Sequence, residues 1–328
     1  MNLPAVARST PGCKGQQWSK PESRVKCFYR WLKNGTIQPE TYFIPFAQIL
    51  VQSLSHGRLY LVIDGSTAGR GCMMLMVGVV YKKRTLPIAW MVAKKNKGHF
   101  SEAFHLELIT KVEQLIPEDA QVTLLGDGEF DGVNLQALVH QWHWDYVLRT
   151  GNNITLSRDG ITICYEDLSA NIKPGELFYV PNASFSNRVY GPVLAITVWR
   201  EDCKEPIHLV TNMGDPGQAY LCYCKRFRIE TFFSDQKSRG FHLNKSHLSD
   251  PERVCRFMIA ASLAYFWVIF LGMYAINFGY HQIIHRTDRC DLSLFQLGLR
   301  LLDYLLDREM PIPGDFYTLT QLTRKSVR

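Results

Sequence analysis

Apolar and polar residues follow one another along the chain in a pattern that predicts a mixed α/β core. Short apolar runs separated by polar turns indicate strands, and apolar residues at a spacing of three to four indicate helices. The predicted elements of this core are strands at 58–63, 72–82, 85–93, 121–126 and 145–150 and helices at 100–116 and 133–142. A three-strand meander followed by crossover units fits a mixed sheet flanked by helices.

The segments on either side of this core have a different character. Residues 1–20 are rich in Pro, Gly, Ser and Gln, and helices are expected at 23–34 and 41–55. Residues 152–214 contain short β-rich stretches, including 161–168, between Gly, Asn and Pro, as in a small all-β insertion. The predicted organisation is a basic arm with two helices (1–55), a first core part (56–151), a β-rich insertion (152–214), a second core part (215–280) and a helical C-terminal segment (281–328).

One apolar run is long enough to cross a bilayer. Phe257–Ile276 contains no charged residue over about twenty positions. Its polar side chains and the absence of a second such run favour a helix buried in a soluble core, so no membrane partner is expected. The first thirty residues show no apolar leader and the nine cysteines form no C-x-x-C pair, so a reducing cytosol is the expected location.

The positive charge of the chain lies in two zones. The net charge is +7, from 37 Lys+Arg and 30 Asp+Glu. Residues 1–34 contain seven basic side chains and one acid, and residues 223–245 contain six and two. Two basic zones on an otherwise mildly acidic protein fit a polyanion such as nucleic acid, although charge runs are also typical of solvated surfaces.

Two aspartates follow apolar strands and precede glycines, at Asp64-Gly65 and Asp127-Gly128. Asp-Gly is a common turn pair, so each position alone is equally well a turn. If the two strands are neighbours, both carboxylates meet at one edge of the sheet, where a hard divalent ion such as Mg²⁺ or Mn²⁺ relieves their repulsion. Glu129 and Asp131 are expected to point elsewhere or to be exposed in the loop.

A third acid stands among basic residues in a predicted helix. Tyr223, Arg226, Glu230 and Lys237 are at offsets 0, 3, 7 and 14, which lie within one narrow stripe of a continuous α-helix about 21 Å long. The stripe fits a metal-bound carboxylate with phosphate-binding cations on both sides of it. An amphipathic surface helix with Arg226–Glu230 pairing is the alternative.

This run, with Asp64 and Asp127 upstream, resembles the DDE transposases of bacterial insertion sequences, and within them the insertion-sequence-four family with the Tyr-Arg-Glu-Lys signature. LVIDGSTAGRG and LLGDGEFDG are similar to its two Asp strands, and RVCRFMIAASLAYFWVIFLG to the core helix after the Glu. The resemblance implies an RNase H-like core interrupted by a β-rich insertion, for which the 103 residues between Asp127 and Glu230 leave room.

By the same resemblance, Asp64, Asp127 and Glu230 are the catalytic residues and hold two Mg²⁺ ions, with Mn²⁺ as a substitute. Arg226 and Lys237 bind the terminal phosphate of the transposon end, and Tyr223 hydrogen-bonds nearby. Trp199 is the residue expected to stack on a flipped base, although a core tryptophan is equally compatible with its strand. The implied partners are double-stranded DNA, both transposon ends and target, and a second copy of the chain, in the bacterial cytosol at the nucleoid.

Three functions remain to be distinguished at this stage. The main prediction is a transposase that cuts and rejoins DNA by the two-metal DDE mechanism. The first alternative is a transposase-derived DNA-binding protein that no longer cuts, which the presence of all three acids disfavours. The second is a metal-dependent RNase H-like nuclease, which Tyr223 and Lys237 disfavour because plain hydrolysis needs no clamp on a DNA end.

Overall fold

A ten-stranded mixed sheet flanked by helices forms the framework of the protein. The computed structural model describes residues 20–95, 98–170, 172–237, 239–287 and 291–314. The strands are β1 Leu59–Gly69, β2 Cys72–Tyr81, β3 Arg84–Lys94, β4 Val122–Gly126, β5 Asp145–Thr150, β6 Thr155–Arg158, β7 Ile161–Cys164, β8 Leu177–Phe185, β9 Tyr190–Val198 and β10 Ile207–Thr211. Their order in the sheet is β3-β2-β1-β4-β5-β10-β9-β8-β6-β7.

The first five strands form the predicted core. Connections of two residues join β1 to β2 and β2 to β3, so these neighbours are antiparallel hairpins. β4 pairs with both β1 and β5 in parallel, and the connections that lead into β4 and into β5 each contain a helix. Parallel strands buried on both faces need continuous apolar sequence, and the buried run of β4 provides it. The expected RNase H-like α/β fold is confirmed.

The expected β-rich insertion is also confirmed. β10 pairs antiparallel with β5, β9 pairs with β10, and β8 pairs with β9. The prediction of β structure through 161–168 is wrong in its second half, because residues 165–169 form a short helix. Asp167 explains this start: its Oδ2 accepts a hydrogen bond from the Cys164 N–H at 2.8 Å, which caps the first turn.

Eleven α-helices are present in the described residues. They are α1 Pro21–Lys33, α2 Pro39–Tyr42, α3 Ile44–Leu54, α4 Glu102–Glu113, α5 Val133–Gln141, α6 Tyr165–Ser169, α7 Pro216–Tyr223, α8 Arg228–Lys237, α9 Pro251–Asn277, α10 His281–Ile284 and α11 Leu294–Asp307. Residues 1–19 of the predicted basic arm and residues 315–328 of the C-terminal segment lie outside the described residues.

The longest helix contains the apolar run noted in the sequence. α9 is long and apolar enough to cross a membrane by length and composition, yet 72% of its most apolar window is buried inside the protein. It packs against α11 and holds α1, since the Arg256 Nε donates to the Leu32 carbonyl at 2.7 Å. The expectation of a buried core helix is confirmed.

The chain divides into two compact units. One contains Met1–Phe46, Ala68–Cys72 and Phe233–Arg328, and the other contains Ala47–Thr67 and Met73–Phe232. The second unit holds most of the sheet, together with Asp64, Asp127 and Glu230. This division does not test the five-segment organisation expected from the sequence, which stays a prediction.

Candidate active site

Asp64 and Asp127 reach the same level on two neighbouring strands. The parallel pairing of β1 with β4 places Val62 opposite Leu125, and each aspartate lies two residues further along its strand direction. Residues that follow equivalent positions of parallel strands lie at one edge of the sheet. The structure therefore brings these two carboxylates together, as their positions after apolar strands predict.

The two aspartates differ in their backbone setting. The expectation that the first strand ends at Asp64 is wrong, because β1 continues to Gly69. Beyond the end of β4, β1 still has β2 as its neighbour, so the Asp64-Gly65 pair is extended strand and not a turn. At Asp127 the turn is real, since the Phe130 N–H donates to the Asp127 carbonyl at 3.1 Å.

The pKa of Asp64 shows that the other two acids lie near it. Burial raises the pKa of Asp64 from 3.8 to about 7, and the nearby charge of Asp127 adds to the increase. Arg226 and the Gly65 N–H oppose this increase, and Glu230 contributes to it more weakly. The other two acids therefore both act on the Asp64 carboxyl group, which burial already makes harder to ionise.

Arg226 lies between two of the three acids. Its guanidinium is 3.7 Å from Asp64 Oδ2 and 3.1 Å from Glu230 Oε1, and it lies 4.2 Å from the centre of the Phe227 ring. The residue is only 6% exposed, and its Nε has no hydrogen-bond partner among the described residues. In this arrangement Arg226 is the positive charge that balances Asp64 and Glu230.

The segment that carries Arg226 is not the continuous helix predicted from the sequence. α7 ends at Tyr223 and α8 begins at Arg228, and the residues between them form tight turns. The Arg226 N–H donates to the Tyr223 carbonyl at 2.8 Å, a bond over three residues instead of four. The break accompanies the burial of Arg226 against Asp64, a tertiary contact that helical periodicity alone does not report.

Tyr223 and Arg149 lie close to this charge network. Tyr223 is 1% exposed, and its burial raises the pKa of the phenol, while the charges of Arg226 and Arg149 lower it. Arg149 is an exposed residue of β5 that the sequence analysis missed. Its signal was a single basic residue directly after the apolar run 146–148 of β5.

Lys237 and Trp199 show no contact with the two aspartates among the described contacts. Lys237 is the last residue of α8, seven residues beyond Glu230, and it belongs to the other unit. Trp199 follows β9 and is half-buried, with its indole Nε1 donating to the Cys203 carbonyl at 3.0 Å. Both the base-stacking and the structural interpretation of Trp199 stay open, and the role of Lys237 stays a prediction.

The loop after Asp127 is held by carboxylates that the sequence analysis expected to point elsewhere or to be exposed. The Glu129 side chain is 11% exposed, with its Oε2 2.9 Å from His99 Nδ1 and its Oε1 3.3 Å from His105 Nε2. Asp131 Oδ2 accepts from the Thr150 hydroxyl at 2.6 Å. Burial raises the pKa of Glu129, but its hydrogen bonds from His105, His99 and the Phe100 N–H outweigh this and keep it below its usual value. Neither acid is exposed.

The three acids fit a hard divalent cation by their chemistry. Carboxylate oxygens are the preferred ligands of Mg²⁺ and Mn²⁺, and the charge of Asp127 adds to the raised pKa of the buried Asp64, a repulsion that a divalent cation relieves. In the described part of the chain, however, no three Asp, Glu, His or Cys side chains stand close enough together to hold a metal. Glu230 instead faces Arg226, so ligation by all three acids stays a prediction.

Several solved structures are similar to this chain. A piggyBac transposase synaptic complex with hairpin DNA is 12% identical with a TM-score of 0.43, and the match covers 80% of this chain and 56% of that one. The chain thus spans little more than half of that transposase. Human ENDOV is 16% identical with a TM-score of 0.31, over 71% of this chain and 90% of that one. Endonuclease V of Ciona intestinalis, in complex with DNA, is 12% identical with a TM-score of 0.33, over 65% and 96%.

The sequence itself matches a family model. No curated protein matches the chain significantly. The model of the transposase DDE domain matches residues 55–267, which is more than half of the chain and includes all three acids. The chain therefore belongs to the transposase DDE domain family, whose members cleave DNA and use divalent metal ions.

Proposed function

We propose that this protein is a DNA transposase of a bacterial insertion sequence, of the insertion-sequence-four type with the Tyr-Arg-Glu-Lys signature. It cuts strands at the ends of its element and joins them to target DNA. The observation that carries the proposal is the pair Asp64 and Asp127 at matching positions of neighbouring parallel strands, with Glu230 within electrostatic reach. Family membership supports the assignment of this pair to DNA cleavage.

In this proposal Asp64, Asp127 and Glu230 hold two Mg²⁺ ions, which Mn²⁺ can replace. When bound, the ions supply Lewis-acid stabilisation of the attacking and leaving oxygens of a phosphodiester. The protein contributes carboxylates fixed on a rigid sheet. Without a bound metal ion, Asp64 is ionised only in part near neutral pH, because burial and Asp127 raise its pKa to about 7.

In this proposal Arg226 has two successive roles, one before DNA binds and one after. Without DNA it neutralises Asp64 and Glu230 through its contacts at 3.7 and 3.1 Å. If Glu230 turned from Arg226 towards a metal, the guanidinium would become available to bind a DNA phosphate in bidentate geometry.

Other residues contact the DNA ends in this proposal. Arg226 and Lys237 bind the terminal phosphate of the transposon end, Tyr223 hydrogen-bonds nearby, and the exposed Arg149 lies near Tyr223. Trp199 stacks on a flipped base. Two copies of the chain bring the two ends together in the bacterial cytosol, at the nucleoid.

The test is cleavage of duplex DNA carrying the inverted repeats that bracket the coding sequence. Asp64→Asn, Asp127→Asn and Glu230→Gln should each reduce Mg²⁺-dependent nicking by at least about 100-fold, because each removes a ligand. Glu107→Gln is the matched control, since Glu107 is an exposed acid that pairs only with Lys111 at 3.0 Å among the described contacts.

The outcomes separate the proposed function from its alternatives. Undiminished nicking by any of the three folded variants would refute the triad. Nicking without joining would indicate a nuclease. Binding of the ends without either reaction in the wild-type protein would indicate a DNA-binding descendant of a transposase.

A further inference from the structure

The backbone of Glu129 is hydrogen-bonded to the side chain of the candidate catalytic residue Asp127. The backbone N–H of Glu129 donates to Asp127 Oδ1 at 3.0 Å, which fixes one oxygen of that carboxylate. The position of this N–H depends on where the Glu129 side chain is held, because both belong to the same residue of a short turn. The orientation of Asp127 is thus coupled to the anchoring of Glu129.

Glu129 is anchored with both carboxylate oxygens. Oε1 accepts from the Phe100 N–H at 2.5 Å and lies 3.3 Å from His105 Nε2, while Oε2 is 2.9 Å from His99 Nδ1. His105 is only 2% exposed, and its ring packs at 4.7 Å against Phe130 in the same turn. A carboxylate this well bonded and this little exposed cannot swing into solvent without leaving buried donors unpaired.

The chain that follows the turn is held by a carboxylate from α4. Glu102, in the first turn of α4, accepts from the Asn134 N–H at 2.8 Å and from the Leu135 N–H at 3.3 Å. These groups belong to the start of α5, where a Cβ added to Gly132 would come within 2.2 Å of Glu102 Oε1. Glu129 of the Asp127 turn thus binds groups at the beginning of α4, and Glu102 of α4 binds the start of α5. Together the two carboxylates fix the Asp127 turn to the beginning of α4.

We propose that Glu129 is a positioning residue, which holds the Asp127 carboxylate in the orientation in which it binds the divalent ion. This inference rests on the proposed function, since it concerns the same site. Outer hydrogen-bond partners of metal ligands typically change metal affinity or activity by 10- to 100-fold when they are removed. Glu129 acts through Asp127 and contacts neither DNA nor metal.

The experiment compares Glu129→Ala, Glu129→Gln and the control Glu107→Ala from α4. The first readout is Mn²⁺ binding to the DNA-free protein by titration, and the second is single-turnover nicking at saturating DNA. Glu129→Ala should weaken Mn²⁺ binding and slow nicking by about 10- to 100-fold each, with the DNA dissociation constant unchanged. Glu129→Gln keeps an acceptor for the Phe100 N–H and should recover part of both, and Glu107→Ala should match the wild type.

Each outcome bears on one proposal. Unchanged Mn²⁺ affinity and nicking in Glu129→Ala, with an active wild type, would overturn the positioning role and leave the transposase assignment standing. Equal losses in Glu129→Gln and Glu129→Ala together with weakened DNA binding would also overturn it, because they indicate general damage to the fold. A wild type that neither binds Mn²⁺ nor cuts would overturn the proposed function itself.

Discussion

Asp64 carries an unfavourable charge in the folded protein. Its pKa rises from 3.8 to about 7, first because burial removes water from the carboxylate and then because Asp127 is near. The unfolded chain releases this proton at a lower pH than the folded chain does. The free energy of unfolding therefore falls as the pH rises from about 4 to about 7, and the full cost, roughly 4 kcal/mol, is present above that range.

Asp64→Asn should therefore stabilise the metal-free protein at pH 8, where wild-type Asp64 is ionised. We expect a gain of roughly 2–4 kcal/mol, since the amide also loses its ion pair with Arg226. Thermal unfolding at pH 8 and pH 4.5 in a chelator measures it, and the gain should shrink at the lower pH. A gain of equal size at both pH values would contradict the assigned pKa.

Arg226 should compete with the metal for the same acids. Arg226→Gln removes the cation that contacts Glu230 at 3.1 Å and Asp64 at 3.7 Å, so the site becomes more negative. Mn²⁺ should then bind the DNA-free protein about 10-fold more tightly or better, as loss of a charged hydrogen bond allows. Titration followed by electron paramagnetic resonance measures this, with Arg228→Gln on α8 as the control. Weaker Mn²⁺ binding would contradict this, because it would show that Arg226 holds the acids in place for the metal instead of competing with it.

At this scale the sequence shows which residues matter better than it shows what they touch. Asp64, Asp127 and Glu230 stand out in the sequence because two acids follow apolar strands and a third lies among basic residues, a combination that fits a metal site better than any of the three does alone. The contact of Arg226 with Asp64 joins residues 162 positions apart and depends on a turn that no local pattern encodes. The anchoring of Glu129 by His99 and His105 is hidden for the same reason.

Two helices of the first unit approach each other through glycines. A Cβ added to Gly272 of α9 would come within 1.9 Å of the Leu294 carbonyl oxygen, and one added to Gly298 of α11 within 1.9 Å of the Val268 carbonyl oxygen. Glycine at each contact lets the backbone of one helix rest on that of the other. The glycine that interrupts the apolar run of α9 is therefore a packing position.

Gly298→Ala should force these helices apart. Overpacking a tight contact costs about 1–3 kcal/mol, and here the clash is with backbone that cannot rotate away. Thermal unfolding should show a melting temperature several degrees below the wild type. Gly314→Ala is the control, since nothing lies within 4 Å of its added Cβ. Equal melting temperatures for the two variants would mean that α9 and α11 are not packed this closely.

Elements follow from the sequence where one period dominates. β4 and β5 are predicted within one residue of their bounds because they are short apolar runs between polar residues. β1 is longer than predicted, because Gly65, Ser66 and Thr67 extend it and their polarity suggests a loop. The break between α7 and α8 is missed because the spacing of Tyr223, Arg226 and Glu230 fits a helix equally well.

Part of the positive charge of the molecule lies in an exposed row along α1. α1 carries Lys26, Arg30 and Lys33 at intervals of four and three residues, so they lie on one helical face, and all three are exposed. They form part of the basic zone found at 1–34. A row of cations on one face matches the regular spacing of phosphates on a duplex, and such contacts make binding depend on salt.

Replacing Lys26, Arg30 and Lys33 together by Gln should weaken binding to duplex DNA and lower its salt dependence. Each lost phosphate contact reduces the slope of log K against log salt by about 0.9, so three contacts reduce it by up to about 2.7. A triple Gln variant at the exposed Lys82, Lys83 and Lys111 removes the same charge elsewhere and serves as the control. The binding constant for duplex DNA is measured from about 50 to about 300 mM salt, and the slopes of the two variants are compared. A loss confined to the α1 variant would identify this face as a DNA contact, whereas equal slopes in both variants would mean that α1 presents only a solvated basic surface.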